Sequence, residues 1–153
     1  MDKDQLKEII ESHQKWLNGD GGERAVLRYS DLRGCDLSGS NLSDCNLSDC
    51  NLSDCDLRGS SLRGCDLSGA KLWATIGNGW EIISLQSKPY CVTYTTDRLQ
   101  IGCENHAISE WWEFDDDTIK EMERGALLWW RVWKPILQQI IKANPAKPTG
   151  AKK

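Results

Sequence analysis

Histidine is nearly absent from this 153-residue chain, which contains only two. Two imidazoles leave little for acid–base catalysis or for a histidine-rich metal site. The sequence also lacks a glycine-rich phosphate loop, a nucleophile elbow and a His-x-x-x-His zinc signature. Carboxylates are plentiful, but none is marked as catalytic by its sequence context. We therefore expect a protein that is not an enzyme and that needs no cofactor.

Long apolar runs are missing as well. No stretch of eighteen apolar residues occurs, and the first twenty residues contain no apolar core of a signal peptide. We therefore expect no membrane contact and a cytoplasmic location. The net charge of −4 argues against direct nucleic-acid binding, which usually depends on a basic surface.

The most prominent feature of the sequence is a five-residue motif, which occurs ten times in succession from Ala25 to Ala74. Every copy has leucine in the third place and a small residue in the first, and most have Asp or Asn in the second. A period of five fits neither an α-helix nor a β-strand, so each copy is predicted to be a short extended piece followed by a corner. Gly or Asp in the fifth place suits the corner. Repeated corners wind the chain into a solenoid with its leucines inside.

On this pattern the chain resembles the pentapeptide-repeat family over about a third of its length. The resemblance implies a mainly β fold, a short right-handed quadrilateral β-helix of about two and a half coils, in which residues twenty apart stack. Five of the seven cysteines occupy the inward-facing first place, so we expect reduced thiols that pack as small core residues. These cysteines are Cys35, Cys45, Cys50, Cys55 and Cys65.

The segments on either side of the repeats are predicted to be helical or β. An amphipathic helix from Asp2 to Leu17, with a capping-box pattern at Asp2 and Gln5, is expected to cover the first coil. After the repeats, three β-rich runs predict a meander: Trp80–Leu85, Tyr90–Thr96 and Arg98–Cys103. The predicted segments are 1–24 (capping helix), 25–74 (repeat β-helix), 75–104 (β-meander), 105–143 (Trp-rich helices) and 144–153 (disordered tail).

Two helices are expected in the Trp-rich region. Asp117 is predicted to cap a short helix that ends at Arg124. A longer helix should run from about Ala126 to Ala143, with a start, stop or kink near Pro135. The predicted apolar stripe of the longer helix is Trp129, Trp133, Ile136, Leu137, Ile140 and Ile141.

The segments HQKWLNGDGGERA, RLQIGCENHAISEWWEFDDD and ALLWWRVWKPIL resemble those of small pentapeptide-repeat proteins of tailed phages and prophages. This resemblance implies a phage-related origin more than a chemistry. Our hypothesis is a non-catalytic protein that binds a host protein and inhibits or modulates it, for example in counter-defence.

Two groups of residues are the candidate contact surfaces for this partner. One is acidic and the other is rich in tryptophan, a residue favoured at interaction hot spots. The alternative for the acidic residues is simple solvation, and for the tryptophans it is core packing or a homodimer, since relatives in the repeat family dimerise through C-terminal helices. The candidate residues are Asp44, Asp49, Asp54, Asp56, Glu113, Asp115, Asp116, Asp117, Trp112, Trp129 and Trp130.

Two other functions stay open at this point. Some pentapeptide-repeat proteins mimic DNA and act on gyrase, although this repeat segment carries only seven aspartates against four arginines and one lysine. The second is a thiol- or zinc-dependent protein that uses Cys91, Cys103 and His106, the only residues with metal-like spacing.

Overall fold

The computed structural model describes residues 1–151 of the chain. Within this range one helix precedes the repeats, and an antiparallel sheet of strand order β1-β2-β3-β4 and three helices follow them. The elements are α1 (Lys3–Asn18), β1 (Ile83–Gln86), β2 (Cys91–Tyr94), β3 (Arg98–Ile101), β4 (Glu104–Ala107), α2 (Ile108–Glu113), α3 (Asp116–Met122) and α4 (Ala126–Ala143).

The repeat segment coils with a period of twenty residues. Parallel bridges join positions twenty apart, and Asn46 pairs both with Val26 before it and with Asp66 after it. The N–H groups of the first seven repeat leucines, Leu27 to Leu57, donate to the next coil over distances of 2.8–3.0 Å. These bridges confirm the prediction that residues twenty apart stack, so four pentapeptides make one coil.

The side chains of each repeat divide as the pattern predicts. Nine of the ten leucines are buried, and Leu67 in the last coil is half-buried. The Asp or Asn in the second place folds back and accepts a hydrogen bond from the backbone N–H two residues later, as Asp36 does from Ser38 at 3.0 Å. This local bond is the physical reason for Asp and Asn at that place.

The corners of the coil require a left-handed backbone. All ten residues in the fifth place have φ between 52° and 77°, a region that Gly occupies freely and Asp tolerates. Tyr29 and Ala74 adopt it too, and the sequence did not mark either of them as a corner residue.

Helix α1 covers the first coil, as predicted. It begins and ends one residue later in the chain than predicted. Asp2 is its N-cap, but among the described residues its side chain makes no capping hydrogen bond, so the predicted capping box is wrong. Gly19 ends the helix in the left-handed conformation, as the Asn-Gly signal indicates. Leu6 and His13 are the buried residues of α1.

His13 joins α1 to the coil with both of its ring nitrogens. Nδ1 accepts from the N–H of Ala25 at 3.1 Å, so in the neutral ring the proton is on Nε2, which donates to the Ser43 carbonyl at 2.9 Å. Burial lowers the pKa of His13 below its usual 6.5.

This histidine makes the stability depend on pH. Because the pKa of His13 is lower in the folded state, neutral His13 stabilises the fold fully above about pH 6.5. This stabilisation is lost as the pH falls towards the pKa of His13 in the folded protein. We expect the free energy of unfolding to decrease from about pH 7 to about pH 5.5, measured by urea denaturation. The decrease should vanish in His13→Gln and persist in His106→Gln. An equal slope in all three proteins would contradict this role of His13.

The sheet has one strand more than predicted. β4 lies in a stretch that was predicted to be partly helical, because ENHA contains none of the strand-favouring residues Val, Ile, Thr, Tyr, Phe and Trp. A turn at Gly102, with φ of 56°, pairs β4 with β3 in the register Leu99↔His106. β1 begins at Ile83 instead of Trp80 because the Asn78 side chain fixes a loop there, accepting from the N–H groups of residues 80–82.

Three helices follow the sheet instead of the two predicted, because α2 forms an additional helix within the predicted Trp-rich region. Asp115, and not Asp117, caps α3, where it accepts from the N–H of Thr118 at 2.8 Å. α3 ends at Met122, two residues before the predicted end at Arg124. α4 runs from Ala126 to Ala143 as predicted and continues through Pro135.

Residues 1–151 form two apolar cores. The repeat leucines and α1 form one, and the sheet and the last three helices form the other. The cores meet at consecutive residues, since Ile82 belongs to the first and Ile83 to the second.

Residues 144–151 of the tail contact the rest of the protein, so the prediction that these residues are disordered is wrong. Tyr94 Oη donates to the Asn144 carbonyl at 2.7 Å, and Lys147 N–H donates to the Trp80 carbonyl at 2.8 Å. Lys147 Nζ also lies 4.2 Å from the centre of the Trp80 ring. The predicted disorder of residues 152 and 153 falls outside the described residues.

Candidate interaction surfaces

Three of the candidate aspartates, Asp44, Asp49 and Asp54, occupy successive corners of one coil and are exposed. Because they are five residues apart in a twenty-residue coil, they lie in different columns and point in different directions. Asp44 and Asp49 lie under Gly64 and Gly69 of the next coil, where a Cβ would be 2.1 Å and 2.2 Å from their Oδ1 atoms. The three carboxylates therefore surround the coil and form no single acidic face.

Several of the candidate carboxylates already form ion pairs with arginines of the protein. Arg28 Nη2 lies 3.5 Å from Asp49 Oδ2, and Arg58 Nη2 lies 2.5 Å from Asp56 Oδ2. The hydrogen bond from the Arg58 side chain holds the pKa of Asp56 below its usual value. Both ion pairs reduce the negative field that these aspartates offer to a partner.

The second acidic group, residues 113–117, also serves local structure. Asp115 caps α3, and its bond to the Thr118 N–H lowers its pKa. Asp116 binds Arg131 of α4 at 2.6 Å, and Asp117 lies 3.2 Å from Lys120. Glu113 is exposed at the end of α2. Solvent exposure, the capping of α3 and the ion pair between α3 and α4 therefore explain most of these acidic residues without a partner.

The tryptophans are divided between core and surface, with one of each adjacent pair packed. Trp111 and Trp130 are 2% and 4% exposed, so Trp130 cannot contact a partner directly. Trp112 is half-buried and stacks on Trp130, with ring centres 6.0 Å apart. Trp129 is half-buried and stacks on Trp133 at 5.3 Å.

A small cavity of about 40 Å³ lies beside Trp129, between α3, α4 and the turn that joins β3 to β4. Tyr90, Met122 and Glu123 are among its lining residues. Trp129 Nε1 is buried and has no hydrogen-bond partner among residues 1–151. The indole N–H of Trp129 is therefore a buried donor beside this cavity that no atom of residues 1–151 satisfies.

The outer side of α4 carries an apolar stripe that the sequence analysis did not single out. Leu128, Val132 and Ile136 are 72%, 60% and 40% exposed and follow each other at helical spacing. Of these three residues, the predicted stripe of α4 includes only Ile136. The i, i+4, i+8 pattern is present in the sequence, but the tryptophans centre the predicted stripe on the adjacent, inward-facing side of the helix.

The candidates for metal or thiol chemistry, Cys91, Cys103 and His106, lie in the sheet and in the turn between β3 and β4. His106 Nε2 lies 3.0 Å from Glu104 Oε2, while Cys103 is exposed and Cys91 is half-buried in β2. Within residues 1–151, no group of three or more His, Cys, Asp or Glu residues has the geometry to hold a metal ion.

The repeat thiols serve as buried hydrogen-bond donors. Cys50, Cys55 and Cys65 donate to leucine carbonyls of the preceding coil at 2.6–2.7 Å, and the Thr75 hydroxyl makes the same bond at 2.7 Å. Burial raises the pKa of Cys55 to about 12. These thiols stay protonated at neutral pH and are poor nucleophiles.

This arrangement predicts which thiols react in the folded protein. Cys103 should be alkylated fastest by iodoacetamide at neutral pH because it is exposed, with Cys35 and Cys91 slower. The four buried thiols, Cys45, Cys50, Cys55 and Cys65, should react only after denaturation. Mass spectrometry of timed samples gives the order, and a denatured sample is the control. Alkylation of Cys55 as fast as Cys103 would contradict the packed coil.

The comparisons with known proteins agree with the repeat geometry. A family model described as pentapeptide repeats matches residues 23–44 and 40–72, with eight copies. This match supports the pentapeptide-repeat assignment for about a third of the chain. No curated protein matches the chain.

Among the described residues, no helix is both long enough and apolar enough to cross a membrane.

Proposed function

We propose that this protein is a non-catalytic interaction protein that binds a host protein through the outer side of α4 and thereby inhibits or modulates it. The observation that carries the proposal is the exposed stripe of Leu128, Val132 and Ile136. Contiguous apolar side chains on an otherwise charged surface are typical of protein–protein contacts.

The stripe is held in place from the other side of the helix. Trp130 and Leu137 are buried in the second core, Arg131 binds Asp116 at 2.6 Å, and Lys134 Nζ donates to the Trp112 carbonyl at 2.8 Å. These contacts keep α4 rigid, so little conformational entropy would be lost on binding. Trp129, the half-buried neighbour of Leu128 in α4, would extend the contact.

The acidic residues have a smaller part in this proposal. Asp44, Asp54 and Glu113 are exposed and could add charged contacts at the edge of the interface, where such contacts affect the association rate most. We do not favour DNA mimicry, because a duplex presents lines of regularly spaced charge and the corner aspartates diverge around the coil.

The proposal also includes the fold of the coil, the origin of the protein and the compartment in which it acts. We take the coil to be a right-handed quadrilateral β-helix, supported by the twenty-residue spacing of its bridges and by the family match. A phage or prophage origin rests on the resemblance of the flanking segments. Seven free thiols favour a reducing compartment such as the bacterial cytoplasm.

The proposal predicts the loss of one captured protein when the stripe is charged. In a pull-down from nuclease-treated bacterial lysate, the double variant Leu128→Lys with Val132→Lys should retain about a tenth or less of the partner captured by the wild type. The control, Ser109→Lys with Gln138→Lys, adds the same two charges at other exposed positions and should capture normally.

Two outcomes would contradict the proposal. One is a partner that both double variants retain equally, and the other is a wild-type protein that enriches no protein. Self-association is read separately by light scattering of the purified protein. A dimer that only the Leu128→Lys, Val132→Lys variant dissociates would assign the stripe to a second copy in place of a host protein.

A further inference from the structure

Each inner repeat offers three backbone groups to the coil that follows it. In the repeat Cys45–Asp49, the N–H groups of Leu47 and Asp49 donate to carbonyls of the next coil at 2.9 Å and 2.7 Å. The carbonyl of Cys45 accepts from the N–H of Asp66 at 3.1 Å. The last coil has no coil above it, so the corresponding groups need other partners or water.

The protein itself closes part of this last edge. Gln100 Oε1 accepts from the N–H of Leu72 at 3.0 Å, and the carbonyl of Thr149 accepts from the N–H of Gly64. Asn78 Nδ2 donates to the carbonyl of Ser60 at 3.2 Å. Side chains and the tail thus replace a further coil in the repeats on both sides of Cys65–Gly69.

The repeat Cys65–Gly69 is left open within residues 1–151. None of its three groups, the N–H of Leu67, the N–H of Gly69 and the carbonyl of Cys65, has a protein partner in that range. Leu67 is also the one repeat leucine that is not buried. Unpaired backbone groups and a partly uncovered leucine therefore coincide at one place.

This place opens into a cleft of about 1270 Å³ between the last coil, the sheet and the tail. Lys71, Thr96, Arg98 and Lys147 contribute to its walls together with Asp66. The walls carry charges of both signs, so their charge does not select a ligand of one sign. The unpaired backbone groups are therefore the feature that would orient a ligand in the cleft.

We propose that the cleft binds an extended segment of a partner polypeptide, which adds one strand to the open repeat. Two carbonyls of the segment would accept from the N–H groups of Leu67 and Gly69, and one of its N–H groups would donate to the carbonyl of Cys65. An apolar side chain of the segment would cover Leu67. One extended backbone supplies both acceptors and the donor at this spacing, which is the basis of strand addition at sheet edges. The site is separate from α4 and does not rest on the function proposed for it.

The probe for this site is a synthetic peptide with the chain's own repeat geometry. It has the sequence of residues 43–51, with alanine in place of Cys45 and Cys50 and with both ends blocked. The control is the same peptide methylated on the backbone nitrogen of Asn46, the group that would donate to the Cys65 carbonyl. Binding is followed with the full-length, 15N-labelled protein by amide chemical shifts and by hydrogen exchange.

The amide signals of Leu67 and Gly69 are expected to shift saturably with the peptide, and their exchange should slow by about tenfold or more. The methylated peptide should bind at least about tenfold more weakly. Thr96→Trp, which fills the cleft from the opposite wall, should weaken binding, while Glu121→Trp on α3 should not.

Three results would overturn the proposal. They are slow exchange of Leu67 and Gly69 in the free protein, no shift at about millimolar peptide, and equal binding of the two peptides. The first would mean that the protein closes this edge by itself.

Discussion

Replacing Leu52 by alanine is expected to lower the free energy of unfolding by about 2–5 kcal/mol. Leu52 is fully buried in the middle coil, with coils on both sides of it. Its backbone also takes part in the ladder, since its N–H donates to the Lys71 carbonyl at 2.9 Å and its carbonyl accepts from the Thr75 hydroxyl at 2.7 Å. A cavity here cannot collapse without disturbing both neighbouring coils, so the loss should lie in the upper part of the range.

Leu67→Ala is the matched control for this prediction. It removes the same atoms from the same place of the repeat, but Leu67 is half-buried and lies beside the cleft. We expect a loss of about 1 kcal/mol. Urea denaturation followed by circular dichroism measures both variants. Similar losses in the two proteins would contradict the packing order of the coil.

Trp111→Ala is expected to cost about 3–5 kcal/mol. Trp111 is buried, its ring centre is 5.2 Å from that of Trp130, and its Nε1–H donates to the Leu99 carbonyl of β3 at 2.6 Å. The substitution therefore leaves a large cavity and removes a buried hydrogen bond between the sheet and the helices. Amide exchange should rise mainly in residues 83–143, because the repeats have a core of their own.

Trp112→Ala is the control, since it removes the same side chain one residue away. Trp112 is half-buried and stacks on Trp130 from the outside, so we expect a loss of about 1–2 kcal/mol. Denaturant unfolding by circular dichroism compares the two. A larger loss for Trp112→Ala than for Trp111→Ala would contradict the assignment of Trp111 to the core.

The repeat segment could be predicted in detail because its information is local and repeated ten times. Leucine, the small residue and the corner each have a fixed place, and a single coil period brings identical places together. His13 shows the limit of this reasoning. It belonged to the apolar stripe of α1, but its two bonds to Ala25 and Ser43 depend on how helix and coil meet.

The candidate surfaces were harder to predict because they depend on direction as well as position. Neighbouring acidic residues suggested one face, yet the left-handed corners point Asp44, Asp49 and Asp54 apart. Adjacent tryptophans showed that only one of each pair can be packed, but the choice of Trp111 and Trp130 follows from long-range contacts with the sheet. The tail illustrates the same point, since its Pro- and Lys-rich composition gives no sign of the contacts with Trp80 and Tyr94.

The most direct test of the proposed function is photo-crosslinking in bacterial cells from the outer side of α4. A photoreactive amino acid at Val132 is compared with the same amino acid at Gln138, which is exposed on another side of the helix. Our account predicts one discrete crosslinked product from position 132 and none from position 138, with a host protein as the trapped partner. No product from position 132, or the same products from both positions, would contradict it.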